Sequence, residues 1–308
     1  MTEKHLFALY INNQSLELST LSPGQEVTLG DDDLVHRLAT ILRLEPGDSV
    51  QIFNDTHSAL VTVASLAARK KGTMRGIIQD IKQHQPLQPR INLYVGLIKK
   101  ETFEDIAYYA AQMGATSITP LITAKVQRSW HGEKEVVRLR KAMIAGCEQA
   151  KQFVVPALNE PVELMCPVRS NGSTSSPRAS LLNSNHGSER DLLSQDQHTP
   201  NTALVLPCPP KPCAKAGSLS KDMSANAQSP TIYFEATGKP FMDCLTAVTH
   251  HKPTSLSLFI GPEGGFATQE QQLMLNSGFE CYALTPTILR SQEAVAVALG
   301  SLRAIARY

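Results

Sequence analysis

The sequence predicts a mixed α/β chain in two parts, a small β-rich unit over residues 1–84 and a larger α/β unit over residues 85–308. Three observations lead there. Before residue 84, short alternating apolar runs surround a single helical stretch. From Ile91 onward, strand-like runs alternate with helical ones, the pattern of a parallel sheet with helices on its faces. A tract rich in Ser, Asn, Pro and Gly, at about 167–230, then interrupts that second pattern.

In the first unit Leu6–Tyr10 is expected to be a strand. Asp31, Asp32 and Asp33 put acidic groups at a helix start, where the macrodipole favours them. Leu34, Leu38, Ile41 and Leu42 follow at helical spacing and should share one buried face. Pro46-Gly47-Asp48 marks a turn, followed by strands at Val50–Phe53 and Ala59–Val63. Arg69, Lys70, Lys71 and Arg75 cluster, which suits a solvated turn as well as a phosphate contact.

In the second unit strands are expected at Ile91–Leu97, Ser117–Leu121, Thr231–Glu235, Ser255–Ile260 and Cys281–Leu284. Helices are expected from Glu104 to Met113, with Ile106, Tyr109, Ala110 and Met113 on one face, and from Glu133 to about Phe153. A long apolar helix closes the chain. The 167–230 tract holds too little apolar surface to offset its ordering entropy, so it is expected to be a disordered insertion. Ala203–Pro207 is its one apolar island.

With 308 residues and 42% hydrophobic content, two ordinary cores can be filled. The 29 Lys and Arg balance 28 Asp and Glu, so no global basic footprint for nucleic acid exists and any RNA contact must be local. The N-terminus lacks a signal-peptide pattern and no apolar run is long enough for a bilayer. The expectation is a soluble, intracellular protein of the cytoplasm with no membrane partner. Six scattered cysteines without a Cys-x-x-Cys pair argue against structural zinc and disulfides, so no metal is expected.

The most informative run is Gly261-Pro262-Glu263-Gly264-Gly265-Phe266, directly after the apolar strand Ser255–Ile260. Three residues without a Cβ let backbone approach a ligand, and Pro262 stiffens the turn. The spacing matches neither a dinucleotide fingerprint nor a Walker loop.

These pieces resemble the ribosomal RNA small subunit methyltransferase E family. The resemblance is carried by Val35–Arg43 with Pro46-Gly47-Asp48, Gly96–Lys99, Cys147-Glu148-Gln149 with Val155-Pro156, Ile260–Phe266 with Glu270, and Ile288-Leu289-Arg290. It implies a PUA-like N-terminal β-barrel domain and a SPOUT-type α/β domain with a trefoil knot. It also implies a homodimer that uses S-adenosyl-L-methionine to methylate N-3 of one uridine in 16S rRNA of the small ribosomal subunit. By that resemblance, Ile260, Gly261, Glu263, Gly264, Gly265, Leu284, Ile288 and Leu289 hold the cofactor. Arg290 and Gln292 fall at catalytic positions, and His36 and Arg43 face RNA or the domain junction.

The chain also departs from the family pattern. Gln292 stands where the family has an acid, with Glu293 one position on. Tyr109, Gln112 and Gln152 replace charged residues, Thr285 replaces a glycine, the region of His5 lacks an early arginine, and Ala267 replaces a hydroxyl helix cap. Two alternatives therefore stay open: a weakened or inactive descendant that binds rRNA or the ribosome, and a methyltransferase of altered RNA specificity.

Overall fold

A computed structural model of the chain describes residues 5–12, 16–67, 72–126, 128–164, 203–204 and 229–306. The first unit comprises β1 (Phe7–Tyr10), β2 (Glu26–Leu29), α1 (Asp32–His36), β3 (Ser49–Phe53), β4 (His57–Ala67) and β5 (Thr73–Gln83). They form a five-stranded sheet in the order β1-β3-β4-β5-β2, antiparallel except for the β1–β3 pair. Leu9, Val50, Ile52, Val61, Met74 and Ile78 fill its core. Strand β5 was not anticipated from the sequence. It alternates buried Met74, Gly76 and Ile78 with exposed Thr73, Arg75 and Ile77, which places Arg75 on the solvent face of a strand rather than in a turn. Arg69, Lys70 and Lys71 lie outside the described residues.

Helix α1 begins as expected, with Asp31 accepting from Leu34 N–H at 3.0 Å. Its shared apolar face does not extend as expected. A π turn over Arg37–Ile41 adds a residue to the winding, so Leu38 stays buried while Ile41 rotates out to 65% exposure.

The second unit runs β6 (Arg90–Gly96), α2 (Lys100–Gln112), β7 (Ser117–Ile122), α3 (Glu133–Ala150), β8 (Ala157–Leu158), β9 (Val162–Leu164) and β10 (Ala203–Leu204). It continues with β11 (Thr231–Pro240), α4 (Phe241–His251), β12 (Ser255–Ile260), α5 (Thr268–Asn276), β13 (Glu280–Ala283) and α6 (Ser291–Ile305). Helix α3 stops short of Phe153 because Lys151 takes a left-handed conformation at φ 52°. The expected disordered insertion at about 167–230 lies outside the described residues, apart from Ala203–Leu204, which pairs with β9, and residues 229–230.

All pairings in this sheet are parallel, along the order β10-β9-β7-β6-β12-β11-β13, with β8 on β7. Strand β12 inserts between β6 and β11, although it follows β11 in the chain. Period-2 alternation sorts the strands onto two faces. Ile91, Leu93 and Val95 of β6, with Leu256, Leu258 and Ile260 of β12, pack toward α2, α3, α4 and α6. Tyr94 and Phe259 point the other way and stack at 4.3 Å, in the layer that Phe266 and Met274 close. Gly238 lies against the Tyr282 backbone, where an added Cβ would come within 2.7 Å of the Tyr282 Cα.

The two units share a packed joint. Phe53 and Ala8 belong to the large α/β core, and Phe53 meets Phe153 edge-on at 5.3 Å. Glu148 accepts from Tyr10 N–H at 2.9 Å and from both terminal nitrogens of Arg37, at 2.6 and 3.2 Å. A bidentate, half-buried pair of this kind fixes orientation better than an exposed ion pair does. Arg140 adds bonds to Tyr10 and Asp55, each at 3.0 Å.

His84 sits in this joint, its ring 5.0 Å from that of Phe153 and its Nε2 2.7 Å from Ser58 Oγ. Burial, then His57 and Lys82, push its pKa below the ordinary value. The folded state thus binds the proton less readily than the unfolded chain, so this contribution is present above about pH 6.5 and is lost as pH falls further. Thermal melts from about pH 7.5 down to about pH 5.5 should show a falling Tm, with a shallower fall in His84→Gln.

Candidate functional site

The site lies where parallel strands β11, β12 and β13 end, the edge at which open α/β sheets receive ligands. Strand β12 delivers Ile260 into the glycine-rich turn. Gly265 takes φ 64°, a conformation that favours glycine, and its N–H bonds to Pro262 O at 2.8 Å. Gly261 and Gly264 do not use positive φ, contrary to the freedom expected of them. Gly261 is needed for space instead, since a Cβ there would press on Gly265 and Phe266 backbone at 3.3 Å.

The turn is held from several sides. Pro262 packs on Gly96, where an added Cβ would lie 2.6 Å from the Pro262 nitrogen. Ser291 Oγ donates to Gly261 O at 2.9 Å and thereby ties the start of α6 to the turn. Lys125 Nζ donates to Gly264 O at 2.7 Å and to Phe266 O at 3.1 Å. Glu270, only 2% exposed, accepts from Ala267 N–H and Ala124 N–H, both at 2.7 Å. Glu270 thus keeps its half of a capping box, whereas Ala267, the N-cap of α5, has no side-chain oxygen to complete the other half.

Between this turn and residues 284–291 opens a cavity of about 380 Å³. Ile260, Gly261, Glu263, Gly264, Gly265, Leu284, Ile288, Leu289 and Arg290 all line it, so segments separated by some twenty residues of sequence form one enclosure. Thr285 also lines it, with its hydroxyl donating to Thr287 O at 2.6 Å. Ile288 is 89% exposed and stands at the rim rather than in the wall. Arg290 is the exposed N-cap of α6, and among the described residues its guanidinium has no hydrogen-bond or ion-pair partner.

Gln292, expected at a catalytic position, is not among the residues lining the cavity. Ser291 and Ala294 face inward at i and i+3, and one residue along a helix rotates about 100°, so Gln292 turns aside. Its amide donates to Glu293 at 3.3 Å. His36 and Arg43 are also remote from this cavity. His36 is exposed and bonds Thr40, Arg43 is exposed at φ 52°, and the residue that reaches the joint is their neighbour Arg37. Tyr109 and Gln112 occupy the last turn of α2, and Gln152 lies beside Gly114; none of the three touches the cavity.

Sequence reasoning missed Glu235, Lys125, Gln271 and the role of Ser291. Glu235 was legible as a charged residue at the end of an apolar strand, whereas nothing local marks Lys125. The charged side chains lining the cavity are Glu235, Glu263 and Arg290. Nearby phenols and thiols stay neutral: burial raises the pKa of Tyr233 and of Cys281, and burial with the Glu280 contact raises that of Tyr282. Among the described residues no three His, Cys, Asp or Glu side chains are grouped to hold a metal ion. No helix among them is long and apolar enough to cross a membrane.

Comparison with known proteins identifies the fold of this enclosure. A family model described as RNA methyltransferase domain matches residues 85–200 and 212–303. The chain belongs to this RNA methyltransferase family. It is 20% identical over 296 residues to the ribosomal RNA small subunit methyltransferase E of Rickettsia conorii, covering 96% of this chain and 94% of the relative. It is 23% identical over 288 residues to the protein of that name from Mycobacterium tuberculosis, covering 92% and 89%. Among solved structures, a methyltransferase of Legionella pneumophila in complex with the cofactor SAM aligns with a TM-score of 0.65 at 23% identity over 98% of each chain. The ribosomal RNA small subunit methyltransferase E of Neisseria gonorrhoeae bound to S-adenosyl methionine aligns with a TM-score of 0.65 at 17% identity, again over 98% of each. This member of the family is thus similar in fold, over nearly its whole length, to proteins captured with that ligand.

The missing cap yields a test of the site's framework. Ala267→Ser supplies the absent acceptor at an N-cap of suitable backbone geometry, φ −71° and ψ 154°. It should raise stability by about 1 kcal/mol, read as a shift in the urea midpoint at unchanged m value.

Proposed function

We propose that this chain is an S-adenosyl-L-methionine-dependent rRNA methyltransferase that modifies N-3 of one uridine in 16S rRNA of the small ribosomal subunit. The observation that carries the reading is the cavity in which the glycine turn and the Leu284–Arg290 segment meet, within the stretch matched as an RNA methyltransferase domain. Its volume of about 380 Å³ falls in the range of small-molecule sites. Its floor is bare of side chains at Gly264 and Gly265, which suits a ligand lying against backbone.

S-adenosylmethionine, when bound, supplies an activated methyl group on a sulfonium, and the residues present suit it. The turn and Leu284, Ile288 and Leu289 would hold the adenosyl and methionyl parts and align donor with acceptor, which is the main demand of an in-line displacement. Uracil N-3 would have to give up its proton, to solvent water, which leaves negative charge on the flanking carbonyl oxygens. Arg290, unpaired among the described residues and always protonated, stands at the positive end of α6 and would stabilise that charge.

We read the five-stranded sheet, residues 1–84, as a PUA-like unit that contacts RNA through His36 and Arg43. Residues 85–308 would form the SPOUT-type domain with its knot. The insertion of β12 between β6 and β11, out of chain order in an all-parallel sheet, is compatible with that topology. A homodimer in the cytoplasm completes the reading, and Ile288 is an apolar side chain that a second subunit would cover. The inactive-descendant alternative leaned on Gln292, and its amide lies outside the cavity, which favours the enzyme.

Calorimetry should find one S-adenosylmethionine bound per chain; absence of binding would sink the reading. Arg290→Ala should abolish transfer while cofactor affinity stays within about tenfold, roughly 1.4 kcal/mol. Normal turnover in that variant would remove Arg290 from the mechanism. Mass mapping of 16S rRNA from cells lacking the gene should show loss of a single uridine methylation, and an unchanged profile would refute the substrate.

A further inference from the structure

We infer that Glu235 grips the vicinal hydroxyl pair of the nucleoside ligand in this cavity, an inference that rests on the S-adenosylmethionine reading above. Glu235 ends the buried stretch of β11 and lines the cavity opposite Arg290's segment. Its carboxylate is held on both oxygens. Gln271 Nε2 donates to Oε2 at 3.1 Å, and Ala236 N–H donates to Oε1 at 3.3 Å. Gln271 also donates to Phe266 O at 3.3 Å, so one amide sets the carboxylate and the glycine turn in register. Gly265 lies close by, since a Cβ there would sit in van der Waals contact with Glu235 Oε2 at 3.5 Å.

A carboxylate oxygen has two acceptor directions, and one on each oxygen is taken by these protein donors. One acceptor direction per oxygen remains. An acceptor-only group in that state recognises a pair of adjacent donors, and the cis-diol of a ribose presents such a pair. An acid at a strand end reading ribose hydroxyls is the solution that other α/β nucleotide sites adopt. Glu263, the other carboxylate of the cavity, is exposed on the turn, and no hydrogen bond to another described residue holds it in place. Glu235 is therefore the pre-set one.

The test pairs a residue change with a ligand change. Wild-type protein and Glu235→Gln are titrated calorimetrically with S-adenosylmethionine, S-adenosylhomocysteine and the 2′-deoxyribose form of the latter, with circular dichroism to verify folding. Glu235→Ala serves as a second variant. Wild type should bind the deoxy ligand roughly ten- to a hundredfold more weakly than S-adenosylhomocysteine, the range of a charge-assisted hydrogen bond. Both variants should lose affinity for the ribose ligands by a similar factor and no longer discriminate the deoxy form. Equal discrimination in wild type and variants would overturn the assignment. So would a loss confined to the sulfonium ligand, which would make Glu235 a charge sensor. Wild-type protein that binds none of the three overturns the S-adenosylmethionine reading itself.

Discussion

The enclosure depends on the immobility of one glycine turn. Three of residues 261–266 are glycines, which leave the turn's backbone few side chains to hold its shape, and it is braced from outside. Gly96 receives Pro262, Ser291 bonds Gly261 O, Lys125 bonds Gly264 and Phe266 carbonyls, and Glu270 bonds Ala267 N–H. These braces come from β6, the loop after β7 and α6, far apart in the chain, and from α5, which directly follows the turn. A buried acceptor such as Glu270 matters doubly, because removing it would strand two backbone N–H groups away from water.

The sheet order makes that bracing possible. Because β12 lies between β6 and β11, the turn at its end emerges at the centre of the sheet edge. Glu235 can then reach it from one side, while the loop after β7 reaches it from the other. The start of α6 returns to the same point through Ser291. Side-chain alternation along β6 and β12 supports this placement by filling a helical layer on one face and an aromatic layer on the other.

Glu148 shows how a motif can be informative for a reason other than chemistry. Its run with Cys147 and Gln149 contributed to the family resemblance, yet its carboxylate clasps Arg37 and Tyr10 at the joint between the two units. Cys147 is buried beside it, its thiol pushed up to about 12, which suits packing rather than reactivity. Orientation of the small sheet relative to the α/β unit therefore rests on the Glu148 clasp and the Arg140–Asp55 pair, backed by aromatic edges.

The sequence by itself determined the elements with strong local periodicity: β12, α2, most of α3 and the apolar α6 were all readable, as was the glycine turn. It could not anticipate β5, because Gly76 and exposed Ile77 blur its alternation, nor the π turn that turns Ile41 outward. For the site, Gly261–Gly265 and Ile288–Arg290 were each legible as motifs and were joined by the family resemblance; both segments line one cavity. What only the tertiary structure decided was direction and partnership. Helical rotation sends Gln292 away from the cavity while Ser291 and Ala294 face it. Parallel strand order brings Glu235 and Lys125 to the turn from distant positions. Periodicity reports which face of an element is apolar; it carries no information about which other element will cover it, and apart from the local Glu270 cap at Ala267 the braces of this turn are of that second kind.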